Sequence, residues 1–238
     1  MKKLPITFLS FLAAAAVCSV SAPVDGQASA PPAPAQSQTQ RAPYAGRETD
    51  LGFSIYEATN STTTARGIVQ TPTNSGGGMI ELRHIHSPLI GYEVTYSYNP
   101  ADETIAPTSS SCGFYCNIPA QKFPSKGSTV GLDWVISARY GRLRPFAAGG
   151  FGFFIDEPSY SVPVGETPNP GNSYTFNDVV RPAWLYGGGV DVAVAKHWGV
   201  RIQYRGVVYK VPDLSTMFPA QGIYTQTEMP MGGIFYAF

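Results

Sequence analysis

The chain has 238 residues, a formal net charge of zero and only 13% charged residues, about half the usual share for a soluble domain. A neutral balance argues against a nucleic-acid surface. Beyond the N-terminus no apolar run reaches the roughly 18 residues that a membrane-crossing helix needs. Glycine and aromatics are abundant, with 25 Gly, 14 Tyr and 13 Phe, and the mean hydropathy is close to zero. Strands that are apolar on one face and polar on the other give such an average.

Lys2 and Lys3 precede an apolar stretch from Leu4 to Val20, the charged and hydrophobic regions of a secretory signal peptide. Ala22 and Ala30 are each followed by proline, a poor residue after a cleavage site. Gly26-Gln27-Ala28 has small residues at the two required places, so cleavage is expected after Ala28. A lipoprotein modification of Cys18 is disfavoured by Val17 before it. Residues 29–47 are rich in Pro, Ala and Gln and read as a disordered tether. The barrel domain is expected over 48–238.

From residue 48 onward the pattern has a period of two. Eight segments carry it: 49–58, 78–86, 89–98, 128–140, 144–155, 182–195, 199–210 and 226–238. In 89–98, Tyr92, Val94, Tyr96 and Tyr98 oppose Glu93, Thr95 and Ser97. In 128–140, Val130, Leu132, Trp134 and Ile136 oppose Gly131, Asp133, Ser137 and Arg139. In 199–210, Val200, Ile202 and Tyr204 oppose Arg201, Gln203 and Arg205. Segment 144–155 is ambiguous, because Phe146 and Phe154 fall on one face and Phe151 and Phe153 on the other. Connections alternate between long (59–77, 99–127, 156–181, 211–225) and short (near 86–89, 141–144 and 196–199). Short turns on the periplasmic side and long loops outside are the order of an outer-membrane barrel. Tyr98, Tyr140, Trp184, Trp198 and Tyr209 sit near strand ends, as interfacial girdles require. A soluble secreted β-sandwich would explain the alternation but neither the long-short order nor the low charge. The expected fold is therefore all-β, a closed antiparallel up-and-down barrel of eight strands.

Four stretches resemble the small outer-membrane β-barrel family typified by the transmembrane domain of outer membrane protein A. They are Arg144-Pro145-Phe146-Ala147-Ala148-Gly149-Gly150-Phe151-Gly152, Tyr186-Gly187-Gly188-Gly189-Val190-Asp191, Gly199-Val200-Arg201-Ile202-Gln203-Tyr204-Arg205 and the terminal Gly233-Ile234-Phe235-Tyr236-Ala237-Phe238. The resemblance implies an outer-membrane location and contact with outer-membrane lipid. It also implies that Ile234, Tyr236 and Phe238 form the signal read by the barrel-assembly machinery. It leaves function open, because the family includes structural proteins, adhesins and some lipid-modifying enzymes.

An eight-stranded barrel is just wide enough inside for side chains. The register places Glu81, Arg83, Glu93, Asp133, Arg139, Asp191, Arg201 and Arg205 there. Unpaired buried charges are costly, so these are expected to pair. They would form a polar filling or line a gated ion path. His84 and His86 could touch one metal ion but have no evident third ligand, and no metal or cofactor is expected. Lipid A deacylases of similar shape place His and Ser two apart on a strand. Here Ser87 directly follows His86, so the two point to opposite faces, and His197 has no serine nearby. A noncatalytic envelope protein is the leading expectation; a small or transient pore and a lipid-modifying enzyme are the alternatives. Cys112 and Cys116 are the only cysteines left after signal cleavage, and in an oxidising compartment they are expected to form a disulfide.

Overall fold

The computed structural model describes residues 48–65, 67–86, 89–108, 119–159, 162–164, 176–211 and 222–238. The expected signal peptide and tether, and both Cys112 and Cys116, lie outside the described residues. Eleven strands follow in chain order: β1 (Glu48–Asn60), β2 (Thr63–Ala65), β3 (Ile68–Pro72), β4 (Ser75–Ile85), β5 (Ile90–Pro107), β6 (Gln121–Ser137), β7 (Leu143–Pro158), β8 (Val162–Pro163), β9 (Val179–Ala193), β10 (Trp198–Lys210) and β11 (Tyr224–Ala237). Among the described residues there is no helix.

Eight of these close on themselves in the order β1-β4-β5-β6-β7-β9-β10-β11, with β11 returning to β1, every pair antiparallel. Closure removes the free edges that an open sheet of this size would expose. The period-two pattern decides which face turns inward. Ile202 is 65% exposed while its neighbour Arg201 is 1% exposed, so the apolar side chains are outside and the charged ones inside. Leu51, Phe53, Ile80, Leu82, Trp134 and Ile136 belong to the same outer belt. Only a lipid surround makes an exposed belt of this extent favourable.

The ambiguous segment resolves in this register. Phe151 and Phe153 face out, whereas Phe146 is buried and Phe154 half-buried on the inner face. The glycines of this strand allow close strand approach. A Cβ on Gly150 or Gly152 would lie about 2.0 or 2.1 Å from a carbonyl oxygen of β6. Gly141, with φ of 63°, makes the tight turn into β7.

Two features depart from the sequence reading. Residues 99–107 and 121–127, expected within one long connection, continue β5 and β6 as paired arms beyond the belt. The β2–β3 hairpin, within the expected loop 59–77, adds to the outer half of β5, and β8 adds to β6. These arms carry their own apolar cluster of Ile68, Ile105, Phe123 and Phe176. The second departure is Tyr209, expected in a girdle but buried on the inner face and stacked on Phe154 at 4.0 Å. Tyr98, Tyr140, Trp184 and Trp198 do face outward and are exposed.

Candidate functional site

Both chain-proximal ends, Glu48 and Phe238, lie at the end of the barrel that carries the short turns. The other end carries the long connections. The lumen between them divides into three levels.

The middle level is a single ion-pair network. Arg201 on β10 donates through Nε to Asp191 Oδ1 at 2.7 Å, through Nη1 to Glu81 Oε2 at 2.8 Å and through Nη2 to Asp50 Oδ1 at 3.0 Å. One guanidinium thus ties β9, β4 and β1 together. Arg83 donates through Nε to Glu93 at 2.6 Å and through Nη1 to Asp191 at 3.1 Å. Arg205 donates to Glu93 at 3.1 Å, to Thr95 at 3.1 Å and to Asp133. Ser54 and Gln203 donate to Glu81 at 2.7 and 2.9 Å. The planar five-donor fork of arginine suits such multiple pairing. The two strands that supply no charge to this level supply rings. Arg83 lies 4.0 Å over the Phe146 ring of β7, and Arg201 lies 5.1 Å from the Phe235 ring of β11, both within cation–π range. Gly131 leaves room for Arg205, since a Cβ there would meet Leu185 at 2.3 Å and Arg205 at 3.3 Å.

At the short-turn end, Arg139 and Arg144 both donate to Glu48 Oε2. Arg139 therefore sits at the mouth and pairs with a residue of the first strand. His84 and His86 lie on the outer side of β4 and β4's end, with His84 against Thr49 at 2.7 Å and Tyr92 at 5.3 Å between ring centres. His197 contacts the Ala237 carbonyl at 2.9 Å. Among the described residues no cluster of three or more His, Cys, Asp or Glu side chains is placed to hold a metal ion.

The long-connection end is built differently. Glu103 of the β5 arm and Asp156 of β7 are buried on the inner face, 8% and 1% exposed. Their hydrogen-bond partners are neutral: Gln70 Nε2 donates to Glu103 at 2.7 Å, and the Ser125 hydroxyl donates to Asp156 Oδ1. Both line one cavity with Asn60, Asn99 and Tyr209. This level lies beyond most of the apolar belt, where the outward side chains include Lys122, Lys126 and Glu157 and Lys122 pairs with Asp102 at 2.9 Å. Burial, reinforced by the charge of Asp156, pushes the Glu103 carboxyl up to about 8. Burial likewise raises Asp156 to about 6, with Asp178 and Glu157 adding repulsion against the Ser125 hydrogen bond.

Of the eight lumen residues named from the sequence, the structure brings seven into the central network and leaves Arg139 at the mouth. Asp50, Ser54, Gln203, Glu48 and Arg144 were not singled out. Asp50 and Ser54 share a face with Gly52 at period two, and Arg144 shares one with Phe146, so the signal was present once the inner face was known. Glu103 and Asp156 fell in stretches read as loops. At the C-terminus, Ile234, Tyr236 and Phe238 all face outward, 53%, 37% and 66% exposed, and the Phe238 amide donates to the Thr49 carbonyl at 3.0 Å.

No protein-family model matches this chain, and no curated protein matches it in sequence. Solved structures do. The outer membrane protein OprG of Pseudomonas aeruginosa is 12% identical with a TM-score of 0.50, covering 82% of this chain and 96% of OprG. Ail, the attachment invasion locus protein of Yersinia pestis, solved with a heparin analogue, is 11% identical at 0.48 over 81% of this chain and 99% of Ail. The outer membrane protease OmpT of Escherichia coli is 10% identical at 0.41, over 82% of this chain and 97% of OmpT. The chain has the fold of the small outer-membrane β-barrels, and with its exposed apolar belt it is a protein of the bacterial outer membrane.

Proposed function

We propose that this chain is a noncatalytic outer-membrane barrel whose solid lumen contributes to envelope integrity while its long connections are presented outside the cell. The observation that carries this reading is the central network, in which Arg83, Arg201 and Arg205 join six of the eight barrel strands across the lumen. A path for ions through it would have to part charge pairs that are almost fully buried, at a cost of several kcal/mol. Planar-bilayer recording of the refolded protein tests this. No stable single-channel steps are expected; large, persistent steps would establish the pore reading instead. The outer side of β4, where His84 and His86 sit, offers no serine at strand spacing, so lipid A from cells expressing the protein is expected to keep its mass.

The same reading assigns the terminal strand to assembly. Ile234, Tyr236 and Phe238 present one outward stripe that the barrel-assembly machinery would engage. Deleting Phe238 is expected to reduce the fraction of heat-modifiable, folded protein in the outer membrane. Normal yield after the deletion would remove the stripe's terminal residue from that role.

A further inference from the structure

We propose that the long-connection end of the barrel holds a divalent metal-ion site, Ca²⁺ by preference, built on the carboxylates of Glu103 and Asp156. Three features of this end of the barrel converge. Two acids share one cavity, and among the described residues neither forms an ion pair. Asp156 is 1% exposed, yet its Oδ2 has no hydrogen-bond partner. The other polar side chains of the lining are neutral, among them the Ser125 and Thr227 hydroxyls and the amides of Asn99 and of Asn60, whose Oδ1 accepts from Thr227 at 2.8 Å. The cavity is small, about 20 Å³ measured by where a water centre fits, which is room for one ion or one water.

The donor chemistry selects the ion. Carboxylate, amide and hydroxyl oxygens suit Ca²⁺ and Mg²⁺, whereas copper and zinc favour imidazole or thiolate. Ca²⁺ accepts irregular sets of six to eight oxygens, including water. Mg²⁺ demands a near-ideal octahedron, which two carboxylates on different strands with mixed neutral partners do not prescribe. An ion here would also cross-link β5 to β7, strands that are not hydrogen-bonded neighbours.

Arg181 is the rival counter-charge. It sits on β9 opposite Phe154, two pairs away from the Asp156–Val179 pair, and its Nε is buried without a hydrogen-bond partner. Its guanidinium does not ion-pair with either acid, and turning it toward them would fill the role that the ion fills in this proposal.

Terbium luminescence and thermal unfolding of the full-length, detergent-refolded protein separate the cases. Tyr209 lines the cavity and should sensitise bound Tb³⁺; Ca²⁺ should then displace it saturably. Ca²⁺ should raise the unfolding temperature of the wild type and of Tyr209→Phe, with Tyr209→Phe losing most of the terbium emission. Glu103→Gln and Asp156→Asn should each weaken Ca²⁺ binding at least tenfold while folding in its absence. The proposal is overturned if millimolar Ca²⁺ neither displaces terbium nor shifts wild-type unfolding. It is equally overturned if both acid variants respond like the wild type, which would place the ion on detergent or surface carboxylates. A Ca²⁺ response that emerges only in Arg181→Met would show the arginine to be the counter-charge and would also overturn it. If neither acid variant folds, the wild-type displacement and the Tyr209→Phe pair still decide.

Discussion

Two groups of buried acids occupy the same barrel and are treated in opposite ways. In the belt, Asp50, Glu81, Glu93, Asp133 and Asp191 surround three guanidiniums, and each acid accepts from at least one. Beyond the belt, Glu103 and Asp156 accept only from neutral donors. Where the lumen is narrow, an arginine on β10 reaches the far wall, so charges can be buried as pairs. Where β5 and β6 extend as arms and the inner face gives way to Phe154, Tyr209 and Phe123, the nearby guanidinium of Arg181 on β9 pairs with neither acid. An acid there must be neutralised by something other than an arginine already in place. Burying carboxylates therefore makes a rigid plug at one level and a binding or protonation site at the other.

The largest effect should come from cutting the centre of the plug. Arg201→Met leaves Asp50, Glu81 and Asp191 without their shared cation, although Arg83 still reaches Asp191. Breaking a buried pair by removing one partner costs about 3–5 kcal/mol. Urea unfolding in lipid vesicles should show a loss of that order. A loss below about 1 kcal/mol would mean that the plug is not what distinguishes the two levels.

The outer level should respond in the reverse direction, and through pH. With Glu103 held near 8 in the folded state against its ordinary 4.5, the folded protein keeps a proton that the unfolded chain releases. This contribution is fully present below about 4.5 and is lost as pH rises toward 8. Asp156, raised from 3.8 to about 6, adds to the same slope. In chelator-containing buffer, raising pH from 5 to 8 should therefore destabilise the wild type, by up to about 5 kcal/mol from these two groups together. Glu103→Gln should flatten that slope and leave the variant the more stable protein at pH 8. A wild-type curve that is flat across the window would mean that the outer acids are already neutralised.

The contrast also sets what could be read without a structure. Alternation on 128–140 and 199–210 was enough to place Trp134 outward and Asp133 and Arg205 inward, because lipid on one side and a narrow lumen on the other leave a strand no choice. It failed on 144–155. The inner face of β7 carries no charge between Arg144 and Asp156, and Phe146 is there to cover guanidiniums contributed by β4 and β10. Such a partner is distant in sequence and invisible to periodicity. The arms failed for another reason: 99–107 and 121–127 contain Pro100, Pro107 and Pro124 and an outward Asp102–Lys122 pair, so they look like loop. They are strands because β3 and β8 flank them and because Ile105 and Phe123 share a core with Ile68 and Phe176. Tyr209 was misread because an aromatic at a strand end fits a girdle as well as it fits a vestibule; the odd-numbered inner face of β10, shared with Arg201 and Arg205, was the discriminating signal.

The smallest effect is expected where β5 passes to β6, at Cys112 and Cys116. A disulfide between them closes a loop of only a few residues. Loop-closure scaling for so short a ring gives at most about 2 kcal/mol, and the gain falls on the connection, remote in sequence from every residue of the plug. Three intervening residues allow the Cα atoms to come within the roughly 4.4–6.8 Å that a bridge needs, with Gly113 easing a tight turn. Denatured, unreduced protein isolated from the outer membrane should therefore show no thiol reactive toward maleimide, and reduction should release two. Cys112→Ser should leave the urea midpoint of the barrel nearly unchanged, in contrast to Arg201→Met. Full labelling of both cysteines before reduction would exclude the bridge. A loss of barrel folding in Cys112→Ser would show instead that the connection and the plug are energetically coupled, and that the two levels compared above do not fold independently of what joins them.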